Sequence, residues 1–244
     1  ELHYGVIEGE GVALLTSHPF GPFEPEGRVF ALADVRLVAP VLPSKVVAVG
    51  RNYLDHVHEM GGDEPPSEPM IFLKPSTSVI SPGEPILLPW QSEQVEHEAE
   101  IAVVIGRLCR DVPEDRVNEV ILGYTCANDV TARDLQRTDG QWGRAKGFDS
   151  FCPLGPWIET DLDVEDATVT CTVNGELRQS AVGADMVRAI PELVAWISSV
   201  MTLLPGDVIL TGTPAGVGRL EAGDETSVSI SGIGTLTNPV TDRG

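Results

Sequence analysis

The chain has 244 residues, enough for one large domain with a real core or for a large domain beside a small one. An apolar content of 42% and a mean hydropathy of +0.03 are those of a globular chain, and no apolar run nears the roughly 18 residues of a membrane span. A net charge of −21, from 37 acidic against 16 basic side chains, argues against nucleic acid or an anionic membrane as a partner.

The N-terminus has no basic stretch followed by an apolar run, so no signal peptide is expected. The chain opens on Glu1, which leaves an upstream segment open. Residues 1–43 hold short apolar pieces (4–7, 12–15 and 35–38) broken by Gly and Pro, and the proline-rich run 19–25 cannot be helical. They read as a small β-rich N-terminal domain, with a second domain over 44–244. In that second part, 46–49, 70–73, 86–88, 103–105, 121–126, 169–173, 208–210 and 226–230 have strand character. Asn174-Gly175 suits the type I′ turn of a hairpin. Helices are few: 52–60, a short one over 131–136, and 190–201, where Ile190, Leu193, Val194, Ile197 and Val200 recur at helical spacing behind Pro191. Strands without regular intervening helices argue against a doubly wound α/β fold. The expected class is mixed β (α+β), a roll or barrel with a few peripheral helices. The cysteines Cys109, Cys126, Cys152 and Cys171 lie 17, 26 and 19 residues apart, which matches no zinc template. They read as reduced, buried thiols of a cytoplasmic protein.

Three segments carry chemistry. The first is Glu96-His97-Glu98-Ala99-Glu100, followed by the apolar run 101–105. On a strand, alternate side chains share a face, so Glu96, Glu98 and Glu100 point one way at the mouth of a buried strand. Their mutual repulsion is relieved by a hard cation such as Mg²⁺, Mn²⁺ or Ca²⁺. In so acidic a chain, a solvated strand edge is the ordinary alternative. The second is the apolar strand 121–128, which ends on Asp129, a place for a ligand on a rigid scaffold or for a helix N-cap. The third is 51–60, where His56 and Glu59 lie three apart and share a helical face. That spacing suits a carboxylate that orients an imidazole, and equally an exposed helix with ordinary partners. The Gly/Pro-rich run 61–69 behind it is expected to hinge a lid over the site.

The ordered set H-E-x-E before V-V-I-G, then N-D-V-T-A-R-D-x-Q, resembles the fumarylacetoacetate hydrolase family. Gly50-Arg51-Asn52-Tyr53, residues 72–77, Arg144-Ala145-Lys146-Gly147, residues 173–176, Pro205-Gly206-Asp207 and Thr211-Gly212-Thr213-Pro214 extend the resemblance over about 45 to 240. The first 43 residues resemble, less specifically, the lead-in domain of bacterial members. The resemblance implies Glu98, Glu100 and Asp129 as ligands of one Mg²⁺ or Mn²⁺, with Glu96 a neighbour outside the set. It implies a 2-oxo (di)carboxylic acid as substrate, with the metal stabilising an enolate. His56 and Glu59 become the acid/base pair, and Lys146 the cation facing the substrate. Arg51, Lys74, Gln136, Gly212 and Thr213 become substrate-side residues, although Lys74 equally suits a structural ion pair. Lysine occurs only at 45, 74 and 146, and two of these three fall in the matching motifs. The outcome implied is C–C cleavage (hydrolysis or decarboxylation) or isomerisation, in aromatic-compound or central 2-oxo-acid catabolism. The closest type is the 2-hydroxyhepta-2,4-diene-1,7-dioate isomerases and related decarboxylases. An acylpyruvate hydrolase is the alternative, and a non-catalytic 2-oxo-acid binding module a more distant one. A homodimer is expected by the same resemblance.

Overall fold

The computed structural model describes residues 1–243. The chain divides into two compact units, Glu1–Leu37 and Val38–Gly244. The first is a three-stranded antiparallel sheet of Gly5–Glu8, Gly11–Leu15 and Pro25–Ala31. Its third strand is Pro25–Ala31 rather than the apolar piece at 35–38, because 29–31 find partners along 11–13.

The second unit is built on a seven-stranded mixed sheet. Its order is Met70–Lys74, Val46–Gly50, Val208–Leu210, Ala99–Ile105, Ile121–Asn128, Cys152–Glu159 and Val79–Ile80. The central strands are buried on both faces, which is why they read as unbroken apolar runs. A five-stranded sheet packs against this one: Glu176–Val182, Thr168–Val173, Glu225–Ile230, Gly234–Asp242 and Ile86–Leu88. Val47, Ile101, Val103, Ile105 and Ile209 of the first sheet form one core with Val169, Cys171, Val228 and Leu236 of the second. The helix Ile190–Val200 closes this core with the apolar stripe expected of it, burying Ile190, Leu193, Val194 and Ile197. Among the described residues, no helix is long and apolar enough to cross a membrane.

A third, short sheet sets the entrance to the site. Val95–His97 pairs with Thr131–Ala132 on one side and Gly218–Arg219 on the other. This corrects the short helix expected over 131–136: Thr131 and Ala132 are strand, and the helix is Arg133–Asp139. The backbone of Glu96 and Val95 captures Thr131 and Ala132 before the helix begins. The helix expected at 52–60 is Leu54–Glu59, and a further short one covers Gly143–Lys146.

Candidate metal centre

Register brings the three carboxylates together. Ala99–Ile105 and Ile121–Asn128 are antiparallel neighbours, with Glu100 opposite Ala127 and Asn128 opposite Ala99. The ladder continues one step further, where the Asp129 amide donates to the Glu98 carbonyl at 2.8 Å. Glu98 therefore sits opposite Asp129, and Glu100 lies two residues along on the same face. One carboxylate oxygen from each of Glu98, Glu100 and Asp129 lies within 4.8 Å of the other two, and all three residues are buried.

Cations surround this cluster. Lys146 bridges it, its Nζ donating to Glu98 Oε2 at 2.6 Å and Asp129 Oδ2 at 2.7 Å while lying 5.0 Å from the centroid of the Phe72 ring. Lys74 Nζ donates to Asp129 Oδ1 at 2.6 Å, to the Lys146 carbonyl at 2.5 Å and to the Val130 carbonyl at 3.4 Å. Three contacts use its three protons, so Lys74 holds Asp129 and the Lys146 backbone in place. Arg133 reaches Glu98 Oε1 at 2.5 Å and Glu96 Oε2 at 2.7 Å, and donates to Gln136 Oε1 at 2.6 Å. Glu96 thus stays outside the triad and serves as counter-charge to Arg133.

The electrostatics split the triad. Burial opposes ionisation of Glu98, but Lys146 and Arg133, with His56 nearby, outweigh it and hold this carboxyl well below the usual range. Glu100 has no lysine or arginine of its own. Burial and the adjacent charges of Asp129 and Glu98 push its carboxyl well above the usual range. Its Oε2 accepts from the Gly212 amide at 2.6 Å. Gly212 has φ +101°, and a Cβ there would lie 2.8 Å from Asn52 Cβ, so the close approach of this loop requires glycine. Burial works against the charge on Lys146, but the carboxylates of Asp129 and Glu98 keep it protonated.

The His56–Glu59 pair forms, with Nδ1 to Oε2 at 3.0 Å. The other Glu59 oxygen accepts from the Gly216 amide at 2.9 Å. This fixes the carboxylate from two sides and leaves Nε2 of His56 as the nitrogen without an assigned task. The hydroxyl of Thr213 donates to the Ala99 carbonyl at 2.9 Å and accepts from Gln179 Nε2 at 2.8 Å, so it is spent largely on the protein. Gln136 is tied to Arg133. Arg51 is exposed, at φ +60° in the turn before the dyad helix, and among the described residues no hydrogen bond joins it to the triad.

Gln179 was not among the expected residues. This buried amide accepts from the Ala99 amide at 3.0 Å, pairs with His97 Nδ1 at 2.9 Å, and donates to Thr213 and to the Pro214 carbonyl at 2.7 Å. All four of its hydrogen-bonding capacities tie the five-stranded sheet to the strand of the triad and to the Thr211–Pro214 loop. Burial keeps His97 neutral.

Residues 45–241 match the family model of the fumarylacetoacetate (FAA) hydrolase C-terminal domain, and residues 1–40 match the model "Rv2993c-like, N-terminal". The chain belongs to the fumarylacetoacetate hydrolase family. It is an enzyme of that family, whose mixed α+β architecture the structure shows. Protein Rv2993c of Mycobacterium tuberculosis is 57% identical over 94% of this chain and 88% of its own length. The mitochondrial oxaloacetate tautomerase Fahd2a of Rattus norvegicus is 42% identical over 85% of this chain and 70% of its own. The crystal structure of 2-hydroxyhepta-2,4-diene-1,7-dioate isomerase from Mycobacterium marinum superposes with a TM-score of 0.89 at 52% identity, over 96% of this chain and 88% of that one. Maleylpyruvate hydrolase from Sphingobium sp. SYK-6, solved with manganese(II) and pyruvate, gives 0.83 at 31% identity over 99% and 97%.

Proposed function

We propose that this family member is a divalent-cation-dependent enzyme that moves a proton on a small 2-oxo acid, so as to isomerise or cleave it, with Glu98, Glu100 and Asp129 holding Mg²⁺ or Mn²⁺. The observation that carries the reading is the convergence of three buried carboxylates, a bridging lysine and an oriented His–Glu pair. The donor set fits a hard dication: all three donors are carboxylate oxygens, and the Glu100 carboxyl lacks a cationic partner. Charge supports it too. Glu96, Glu98, Glu100 and Asp129 face Lys74, Lys146 and Arg133, one negative charge in excess. A dication together with one substrate carboxylate brings that sum to zero.

A cation held there supplies Lewis-acid stabilisation of negative charge developing on the oxo oxygen. The protein supplies the rest. With Nδ1–H of His56 donating to Glu59, Nε2 carries the lone pair and is the base for a proton on the carbon beside the oxo group. The same nitrogen, acting on water, serves hydrolysis. Glu59 fixes the tautomer and the orientation of the ring, so that Nε2 is held toward the substrate side. The Lys146 ammonium stays charged and offers compensation to a substrate carboxylate or an oxyanion in a site walled from water. The similarity to an oxaloacetate tautomerase and to a heptadienedioate isomerase favours proton transfer within the substrate. The likeness to maleylpyruvate hydrolase supports acylpyruvate hydrolysis as the second reading.

The test is a panel of oxaloacetate, 2-hydroxyhepta-2,4-diene-1,7-dioate and acylpyruvates, assayed with Mg²⁺ or Mn²⁺ and then with EDTA. Turnover that EDTA abolishes is expected. Glu98→Ala retaining full Mn²⁺ affinity and full activity would sink the site assignment. Metal bound at the triad with no 2-oxo acid turned over would leave a binding module.

A further inference from the structure

The segment that carries His56 and Glu59 leaves the sheet after Gly50 and rejoins it at Met70. Its one helix, Leu54–Glu59, has six residues, too few to be stable alone. Several of its own bonds are internal: the Gly61 amide donates to the His58 carbonyl, Gly62 to Val57, and His58 Nε2 pairs with the Asp63 carbonyl. Beyond the Gly216 bond to Glu59, the placement of a dyad on such an excursion depends on the anchors at its two ends.

Both ends meet one residue. At the start, Asn52 Oδ1 accepts from the Arg188 amide at 2.9 Å, and Asn52 Nδ2 donates to the Arg188 carbonyl at 3.1 Å and to the Thr211 carbonyl at 2.8 Å. The Val187 amide adds a bond to the Asn52 carbonyl at 2.8 Å. At the far end, Arg188 Nη2 donates to the carbonyls of Pro66 at 3.0 Å and Ser67 at 2.7 Å. Its Nη1 rests on Glu192, in the first turn of the helix Ile190–Val200. Among the described residues, these two bonds are the hydrogen bonds by which 63–68 reach an element outside the segment 51–69. The helix Ile190–Val200 is itself locked into the core.

We propose that Arg188 is a positioning residue that clamps the dyad segment at both ends, through its backbone to Asn52 and through its guanidinium to Pro66 and Ser67. The proposal rests on the reading of His56 and Glu59 as the acid/base pair, but its structural part is tested without substrate. Arg188 touches no member of the carboxylate triad, so its loss separates dyad placement from metal binding. The guanidinium presents Nη1 to Glu192 and Nη2 to the two carbonyls, acceptors set apart across the width of a planar fork; a single ammonium nitrogen reaches three such acceptors only where they converge on one point, as they do on Lys74.

The experiment compares wild type, Arg188→Ala and Arg188→Lys in the whole protein. Cleavage by a broad-specificity protease within 58–64, and deuterium exchange of the Val57, Met60, Gly61 and Gly62 amides, are expected to rise about tenfold in both variants, the loss of roughly one charged-donor hydrogen bond. Mn²⁺ affinity is expected to stay within about twofold of wild type. With a turned-over 2-oxo acid in hand, kcat is expected to fall about tenfold or more with a smaller change in KM, because the base is misplaced while the carboxylate site stays intact. Unchanged proteolysis and exchange in Arg188→Ala would overturn the clamp. Full recovery by Arg188→Lys would overturn it as well, reducing Arg188 to an ion pair with Glu192. If no 2-oxo acid is a substrate, the functional reading falls while exchange and proteolysis still decide the clamp.

Discussion

Lys146 is the residue whose removal separates a metal centre from an ordinary buried salt bridge. Its ammonium is buried and donates to two carboxylates at 2.6 and 2.7 Å. Lys146→Met leaves a side chain of similar length and deletes the charge. Lys74 and Arg133 still hold one oxygen each of Asp129 and Glu98, but their other oxygens lose the bridging cation. Breaking a buried pair from one side costs about 3–5 kcal/mol. For a unit this large, each kcal/mol moves Tm by about 2–4 °C, so a fall of roughly 6–20 °C is expected without added metal. If the triad is a cation site, Mn²⁺ restores the missing positive charge. Mn²⁺ also meets one fewer competing cation in the variant, so its affinity rises and the stabilisation it confers grows with it. The assay is thermal unfolding of wild type and Lys146→Met with EDTA and with increasing Mn²⁺. The variant is expected to gain more from Mn²⁺ than the wild type does, while its turnover is lost. A variant that is destabilised but gains no more than wild type would refute the reasoning, because the lysine would then be a structural partner of Glu98 and Asp129.

Gly212→Ala forces a side chain into the left-handed region and against Asn52 Cβ at 2.8 Å, so a loss of about 2–4 kcal/mol is expected by denaturant titration; a loss under about 0.5 kcal/mol would contradict it. His56→Asn and Glu59→Gln should each keep Mn²⁺ affinity while lowering kcat by roughly 10²–10⁴, with Glu59→Gln the milder; equal metal loss in either would show that the pair is not separate from the cation site. The thiols of Cys126, Cys152 and Cys171 are pushed up to about 12 by burial. Because the thiolate is the reacting form, they should be silent to a disulfide reagent at pH 8 and react once the chain is unfolded. The same shifts mean that the unfolded chain gives up these protons above its own thiol pKa while the folded chain keeps them, so stability should fall as pH rises past about 8.5.

The strands and the long helix were readable from periodicity because each obeys one local rule. The continuous apolar runs at 46–49 and 101–105 are buried on both faces, and the stripe on 190–200 faces one core. The misreadings occurred where a tertiary partner overrode local preference. Thr131 and Ala132 look like the start of a helix, yet Val95 and Glu96 draw them into a ladder. Gln179 was hidden by a bulge. An unbroken hairpin from Asn174-Gly175 would set Cys171 opposite Arg178. In the structure Thr172 faces Leu177 and Cys171 faces Gln179, so Arg178 is the extra residue and Gln179 turns inward.

The site shows the same division. The alternation of Glu98 and Glu100 and the strand end at Asp129 mark out the carboxylate triad in the sequence, because which side chains share a face follows strand period. What a polar side chain does inside the site follows from who else reaches it, and spacing does not contain that. Lys74 and Thr213 lie in the right motifs, but their hydrogen-bonding capacity is directed into the protein, Lys74 to Asp129 and two carbonyls, Thr213 to Ala99 and Gln179. Lys146 and Lys74 differ in one respect that decides their roles. Lys146 spans two of the carboxylates and lies over the Phe72 ring, while Lys74 is enclosed by one carboxylate and two backbone carbonyls. A cation joining the triad displaces contacts of the first and leaves those of the second intact. Lys74→Met is therefore expected to lose stability that Mn²⁺ does not restore, because the carbonyls of Val130 and Lys146 stay without a donor whatever binds the carboxylates; recovery by Mn²⁺ as full as that of Lys146→Met would show that the two lysines play one role.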